Sequence, residues 1–194
     1  MVIDYKSCKL FAFADTHGMY RRLFVPEEAD IIICAGDACE GFNPADLEDF
    51  FAWYTSISAK LRIFVPGNHD CIFNTNQDRA RSLIPDGVVY LENEGLEYDG
   101  IKFYSVPARP YLKTPLAIPE DVDFLITHGP AYGYLDRGLG CKNLYLSIAS
   151  ARPKYHIFGH GHEEGLKRKA MLGGTTYLNV SYFEELRNAI ASPH

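Results

Sequence analysis

"DIIICAGDACEGFNPADLEDFFAWYTSISAKLRIFVPGNHD", residues 30–70, joins two short apolar runs through a stretch of different period. The runs, "DIIICA" (30–35) and "RIFV" (62–65), have the length and continuity of strands covered on both faces. Between them Asn43 is placed to cap a helix and Pro44 to stand at its first position. Leu47, Phe50, Phe51, Tyr54 and Ile57 then recur at helical spacing across 43–60. Strand, helix, strand is the signature of an α/β domain. Both runs also end in glycine followed by polar side chains, "GD" (36–37) and "GNHD" (67–70).

The same design repeats on either side. "LFAFA" (10–14), "IKFYSV" (101–106), "DFLITH" (123–128) and "YHIF" (155–158) read as further buried strands. The segments 88–106 and 165–183 read as hairpin-like strands joined at Gly, Asn and Asp turns, so the sheet system is expected to be mixed. No repeat, low-complexity tract or linker interrupts the chain, and one domain over 1–194 is expected.

Composition narrows the class. With 47% hydrophobic and 23% charged residues, the 194-residue chain can bury a full core, and its longest apolar runs are far short of a membrane span. The opening residues lack the basic and apolar regions of a signal peptide, and the five cysteines are scattered without CxxC spacing, as reduced thiols are. A cytoplasmic protein without a membrane partner is the expectation, and Cys34 reads as a small core residue. A net charge of -6 argues against extended nucleic acid as a partner but allows a small anion wherever positive charge is supplied locally.

That local charge is expected at the strand ends. Asp15 and His17 follow the first run, Asp37 the second, and Asn68, His69 and Asp70 the third. His128 follows the fifth, and His160 and His162 the sixth. Singly, each of these could be a helix cap or a turn residue. Five of the seven histidines fall in these positions, however, and strand ends of open α/β sheets converge on one rim. Imidazole with carboxylate and carboxamide oxygens suits borderline divalent ions such as Mn, Fe, Zn, Co or Ni. Asp15, His17, Asp37, Asn68, His128, His160 and His162 are too many for one tetrahedral ion and fit two, provided Asp37 bridges them. Gly159 and Gly161 permit the tight turn that brings both histidines inward. A paired site generates hydroxide near neutral pH and stabilises charge in an in-line displacement at phosphorus. The expected reaction is hydrolysis of a phosphate ester by metal-activated hydroxide. His69 would protonate the leaving oxygen, and Asp70 would orient its ring and raise its pKa.

The blocks "DTH" (15–17), "GD" (36–37), "GNHD" (67–70), "THG" (127–129) and "GHGH" (159–162) resemble, in order and spacing, the calcineurin-like metallophosphoesterase superfamily. The resemblance implies two packed mixed β-sheets flanked by helices. It also implies one ion on Asp15, His17, Asp37 and His162, a second on Asp37, Asn68, His128 and His160, and His69 as the acid. The forms "DTHG", "THGP" and "GHGHEEG" are similar to its compact phosphodiesterase-like branch, implying a small phosphodiester such as a cyclic nucleotide or nucleotide diester, with manganese first among the metals. "GDACEG" and "SVPARPYLKTP" depart from that branch in segments that commonly form pocket walls.

Arg109 is a candidate phosphate clamp, and Tyr132 and Tyr134 are candidates to stack on a base; a solvated loop arginine and packed rings are the plainer readings. Cys39 lies near Asp37 outside every ligand position, Trp53 reads as core, and "LKRKA" (166–170) as a charged strand edge. Two other functions stay open. One is a non-catalytic scaffold on this fold, which metal content would distinguish. The other is a nuclease of the same chemistry, which would need a basic groove.

Overall fold

Along β2 (Cys8–Phe13) the side chains alternate between two interiors: Leu10 joins one apolar cluster while Phe11 and Phe13 join another, all buried. A strand buried on both faces needs a layer on each side, and the computed structural model, which describes residues 1–162 and 169–191, supplies them.

The first sheet runs in the order β1 (Val2–Tyr5), β2, β3 (Ile31–Cys34), β4 (Leu61–Phe64), β5 (Val89–Tyr90). β1 is antiparallel to β2 and the other pairs are parallel. The second sheet contains β6 (Glu94–Tyr98), β7 (Ile101–Ser105), β8 (Phe124–Ile126), β9 (Tyr155–Phe158), β10 (Lys169–Leu172) and β11 (Thr175–Asn179), ordered β10-β11-β9-β8-β7-β6. Its two outer pairs are antiparallel and its inner pairs parallel. Ile31, Ile33 and Ile63 meet Phe103, Ile126 and Ile157 in the core between the sheets.

Helices cover the two outer faces. α1 (Pro44–Ser56) lays Phe50, Phe51 and Tyr54 on Phe13, Ile32 and Phe64, and α5 (Phe183–Ala191) adds Leu186 to that cluster. α4 (Lys142–Ala151) lays Leu144 and Ile148 on Leu125, Phe158 and Tyr177 of the second sheet. The result is an α/β arrangement of helix, mixed sheet, mixed sheet and helix, as expected. Among the described residues no helix is long and apolar enough to cross a membrane.

α1 begins as its sequence predicts, with Asn43 Oδ1 accepting from the Ala45 N–H at 3.2 Å and Pro44 at the first position. It ends at Ser56, because Ile57 turns extended and residues 57–60 lead back into β4. The two short helices α2 (Ile72–Thr75) and α3 (Gln77–Ser82) follow β4. The segment 88–106 is not a single hairpin. β5 pairs with β4 in the first sheet, and only β6 and β7 form the hairpin of the second, so the chain crosses between sheets near residue 92. The other expected hairpin is β10 and β11, turning at Gly173 and Gly174, both at positive φ where a side chain would be strained. Residues 166–168 of "LKRKA" lie outside the described residues, while Lys169 and Ala170 begin the edge strand β10.

Candidate metal centre

The segments that leave β2 and β3 are joined residue by residue. The N–H groups of Asp15, His17 and Gly18 donate to the carbonyls of Gly36, Asp37 and Ala38 at 2.9 to 3.0 Å. This lacing holds Asp15, His17 and Asp37 in the left-handed region, at φ 57°, 42° and 52°, and His160 after β9 stands at 65°. Non-glycine residues seldom adopt that conformation, and four gathered at the strand ends of the two sheets mark strain of the kind found at functional sites.

The side chains of these segments form two overlapping groups. Asp15, His17, Asp37 and His162 offer ligand atoms all within 4.8 Å of one another, and so do Asp37, His128 and His160. Asp37 belongs to both groups. Its Oδ1 accepts from the His69 N–H at 2.8 Å, while its Oδ2 lies 3.2 Å from His128 Nε2 and 3.8 Å from His17 Nε2. His17 Nε2 faces His162 Nε2 at 3.2 Å, and His162 Nε2 lies 3.5 Å from Asp15 Oδ1. Both Asp15 oxygens also accept from the His160 N–H, at 2.9 and 3.1 Å.

These atoms fit a pair of cations. Asp37 Oδ2, Asn68 Oδ1 and His128 Nε2 are buried without a hydrogen-bond partner, which is costly unless a positive charge or a metal meets them. His128 Nδ1 donates to the Ala35 carbonyl at 3.0 Å, which leaves the Nε2 lone pair facing Asp37. Burial disfavours the His128 imidazolium, but the adjacent Asp37 carboxylate outweighs it and raises the pKa. Burial likewise disfavours the Asp37 carboxylate, and His128 beside it prevails and pulls its pKa down. In His17 and His160 burial prevails and both pKa values fall, toward the neutral form that binds metals.

Glycine makes the approach possible. A Cβ on Gly67 would lie 2.0 Å from Asp37 Oδ1, one on Gly36 2.6 Å from His128 Nδ1, and one on Gly159 2.6 Å from Asp15 Oδ2. The turn carrying both C-terminal histidines closes with Gly161 N–H donating to the Gly159 carbonyl at 2.8 Å. Asn179, at the end of β11, pins it by donating from Nδ2 to the Gly161 carbonyl at 3.0 Å.

Asp70 does not do what the sequence led us to expect. It is fully buried, and its oxygens accept from the backbone N–H groups of Asp37, Gly67 and Cys39 at 2.9, 2.8 and 3.0 Å. The carboxylate beside the His69 ring is instead Glu40, with Oε1 3.6 Å from Nδ1, and the ring rests edge-on against His17 at 4.8 Å. Glu40 was missed because it sits in "GDACEG", outside the blocks, although a carboxylate three residues past Asp37 was a visible signal.

The other candidates are committed elsewhere. Arg109 pairs with Glu92, which also accepts from Tyr90 Oη at 2.6 Å and Gln77 Nε2 at 2.5 Å. Tyr134 stacks on Tyr177 at 4.0 Å on the outer face of the second sheet, and Lys142 lies over the Tyr132 ring. Cys39 is buried, with its Sγ 3.3 Å from the Asp46 carbonyl, and the described cysteines are all free.

A five-plus-six-stranded sandwich whose strand ends gather two sets of imidazole and carboxylate ligands around one aspartate defines a metallophosphoesterase type of site. The chain belongs to the calcineurin-like phosphoesterase family, whose sequence profile matches residues 9–164. It is 29% identical to UPF0046 protein K07C11.7 of Caenorhabditis elegans, covering 89% of this chain and 69% of that protein. It is also 29% identical to human metallophosphoesterase domain-containing protein 1, covering 87% of this chain but 64% of that longer protein. Among solved structures it superposes on TT1561 of Thermus thermophilus with a TM-score of 0.67 at 15% identity, over 92% of this chain and 94% of that one. A structure described as a novel archaeal phosphodiesterase matches with a TM-score of 0.51 at 17% identity, over 88% and 81%.

Proposed function

We propose that the protein hydrolyses small phosphodiesters at a pair of divalent transition-metal ions. Asp15, His17, Asp37 and His162 would hold one ion, and Asp37, Asn68, His128 and His160 the other. The observation that carries this reading is that Asp37 belongs to both ligand groups while its Oδ2, buried beside them, has no hydrogen-bond partner. When bound, such a pair supplies Lewis acidity and a nucleophile at neutral pH. Mixed imidazole and oxygen donors suit Mn, Fe, Zn, Ni and Co, and manganese is the first of these to test.

The chain's own groups then divide the remaining work. As water attacks phosphorus and the bond to the leaving oxygen breaks, His69 gives that oxygen its proton. Glu40, whose Oε1 lies 3.6 Å from His69 Nδ1, is placed to orient that ring. Asp70 ties together the two loops that carry Asp37 on one side and Asn68 and His69 on the other. The archaeal phosphodiesterase of the same fold and the sequence forms of the compact branch support a diester over a monoester. Five free cysteines suit the reducing cytoplasm.

The protein loaded with Mn should release p-nitrophenolate from bis-p-nitrophenyl phosphate. On diphenyl phosphate, whose poorer leaving group needs the proton, His69→Ala should lower turnover by about a hundredfold or more while leaving the metal content intact. Absence of turnover with Mn, Ni, Co, Zn and Fe, on both monoester and diester, would refute the proposal.

A further inference from the structure

Beside His160 and His162 opens a cavity of about 450 Å³ that also takes in Tyr111, Pro130, Arg137 and Leu139. Its outer wall is built rather than incidental. Asp136 is buried, and its carboxylate accepts from the N–H groups of Gly133, Gly138 and Gly140 at 2.8, 3.1 and 2.8 Å, which fixes the turn that carries Leu139. Leu139 is nevertheless 72% exposed and Tyr111 58% exposed. Tyr111 Oη donates to the Leu139 carbonyl at 3.1 Å and links the segment after β7 to this turn. Two large apolar side chains held toward solvent by an ordered scaffold, at the edge of a polar site, are placed to meet a ligand.

Position decides which part of the ligand. The His17 ring touches both the His69 ring, at 4.8 Å, and the His162 ring, at 5.0 Å. His69 is not among the residues that line this cavity. If His69 protonates the departing oxygen, a group lodged beside His160 and His162 is the ester substituent that stays on phosphorus. A phosphomonoester has no such substituent. Resting on the phosphoesterase reading above, we propose that this cavity is the subsite for the retained arm of a phosphodiester, an aromatic or nucleoside group lying against Tyr111 and Leu139. These two residues, rather than Tyr132 or Tyr134, set the substrate preference. Tyr132 lines a neighbouring cavity that shares the Tyr111 and Leu139 wall, and Tyr134 is stacked on Tyr177.

Three substrates with one leaving group test this: p-nitrophenyl phosphate, its methyl ester and its phenyl ester, each with the Mn-loaded protein. The phenyl ester should exceed the methyl ester in kcat/KM by about tenfold or more, through KM. In the double variant Tyr111→Ala, Leu139→Ala that ratio should fall to about one, whereas Tyr111→Phe, which keeps the ring, should retain it. Turnover with no preference for the phenyl ester, or a preference that survives in the double variant, overturns this inference alone. No turnover of any of the three overturns the phosphoesterase reading and this inference with it.

Discussion

Asp70 and Glu40 divide between them what the sequence reading assigns to Asp70 alone. Asp70 Oδ2 accepts from two buried N–H groups and Oδ1 from a third, so an amide in its place would set an NH2 against at least one donor. Asp70→Asn should therefore lower stability by about 2 kcal/mol or more in urea unfolding. Glu40→Gln, at an exposed side chain, should stay within about 0.5 kcal/mol of the native protein and lower turnover instead. The reverse pattern would show that Asp70 serves His69 after all.

His156, which the sequence reading left outside the site, supports it from behind. Thr127 Oγ1 donates to the Gly129 carbonyl at 2.7 Å and so accepts from His156 Nε2 at 2.8 Å, which steadies the turn that presents His128. Burial alone holds the His156 pKa at about 3, against an ordinary 6.5. The unfolded chain takes up a proton there that the folded chain refuses. The stability present above pH 6.5 is therefore lost progressively as pH falls from 6.5 toward 3. Between about pH 7.5 and pH 5 the native protein should lose about 2 kcal/mol more than His156→Gln does. Equal losses would contradict this.

At the scale of elements, most of the architecture was legible because the signals were local. Asn43, Pro44 and the apolar positions of α1 announce a helix by capping and period, and six apolar runs announce strands. Two features were hidden because they depend on partners far along the chain. β5 is two residues long, too short to carry a period, and joins the first sheet only because β4 offers an edge. Asp70 adjoins His69 in sequence, yet its orientation is decided by the Asp37 and Cys39 N–H groups of another segment together with Gly67 of its own turn. The clustering of the candidate ligands was readable because residue types suited to metals recur at strand ends, whatever the loops between them do.

Tyr54 illustrates how a helix locks a sheet that carries ligands. Its Oη lies 2.9 Å from the Ile32 carbonyl of β3 and 2.8 Å from the Ile63 carbonyl of β4, fully buried between the two strands that lead to Asp37 and Asn68. Tyr54→Phe should cost about 1 kcal/mol, measured by urea unfolding, by removing a buried hydrogen bond at the junction of the two strands. A change near zero would show that the two strands need no such tie.

For the molecule as a whole, an acidic chain must present a positive site to an anion. The net charge is -6, and the ligand cluster itself contains two carboxylates, Asp15 and Asp37. Two dications would reverse the local sign without altering the surface elsewhere. Both sheets deliver their ligands to one place: Asp15, Asp37 and Asn68 follow strands of the first, and His128, His160 and His162 follow strands of the second. Packing of the two sheets and assembly of the site are therefore one event, and the central claim is a geometric one. Anomalous diffraction from crystals grown with manganese tests it directly. Two peaks about 3.5 to 4 Å apart, with a carboxylate oxygen of Asp37 within reach of both, are the predicted result. A single peak, or none at these side chains, would contradict it.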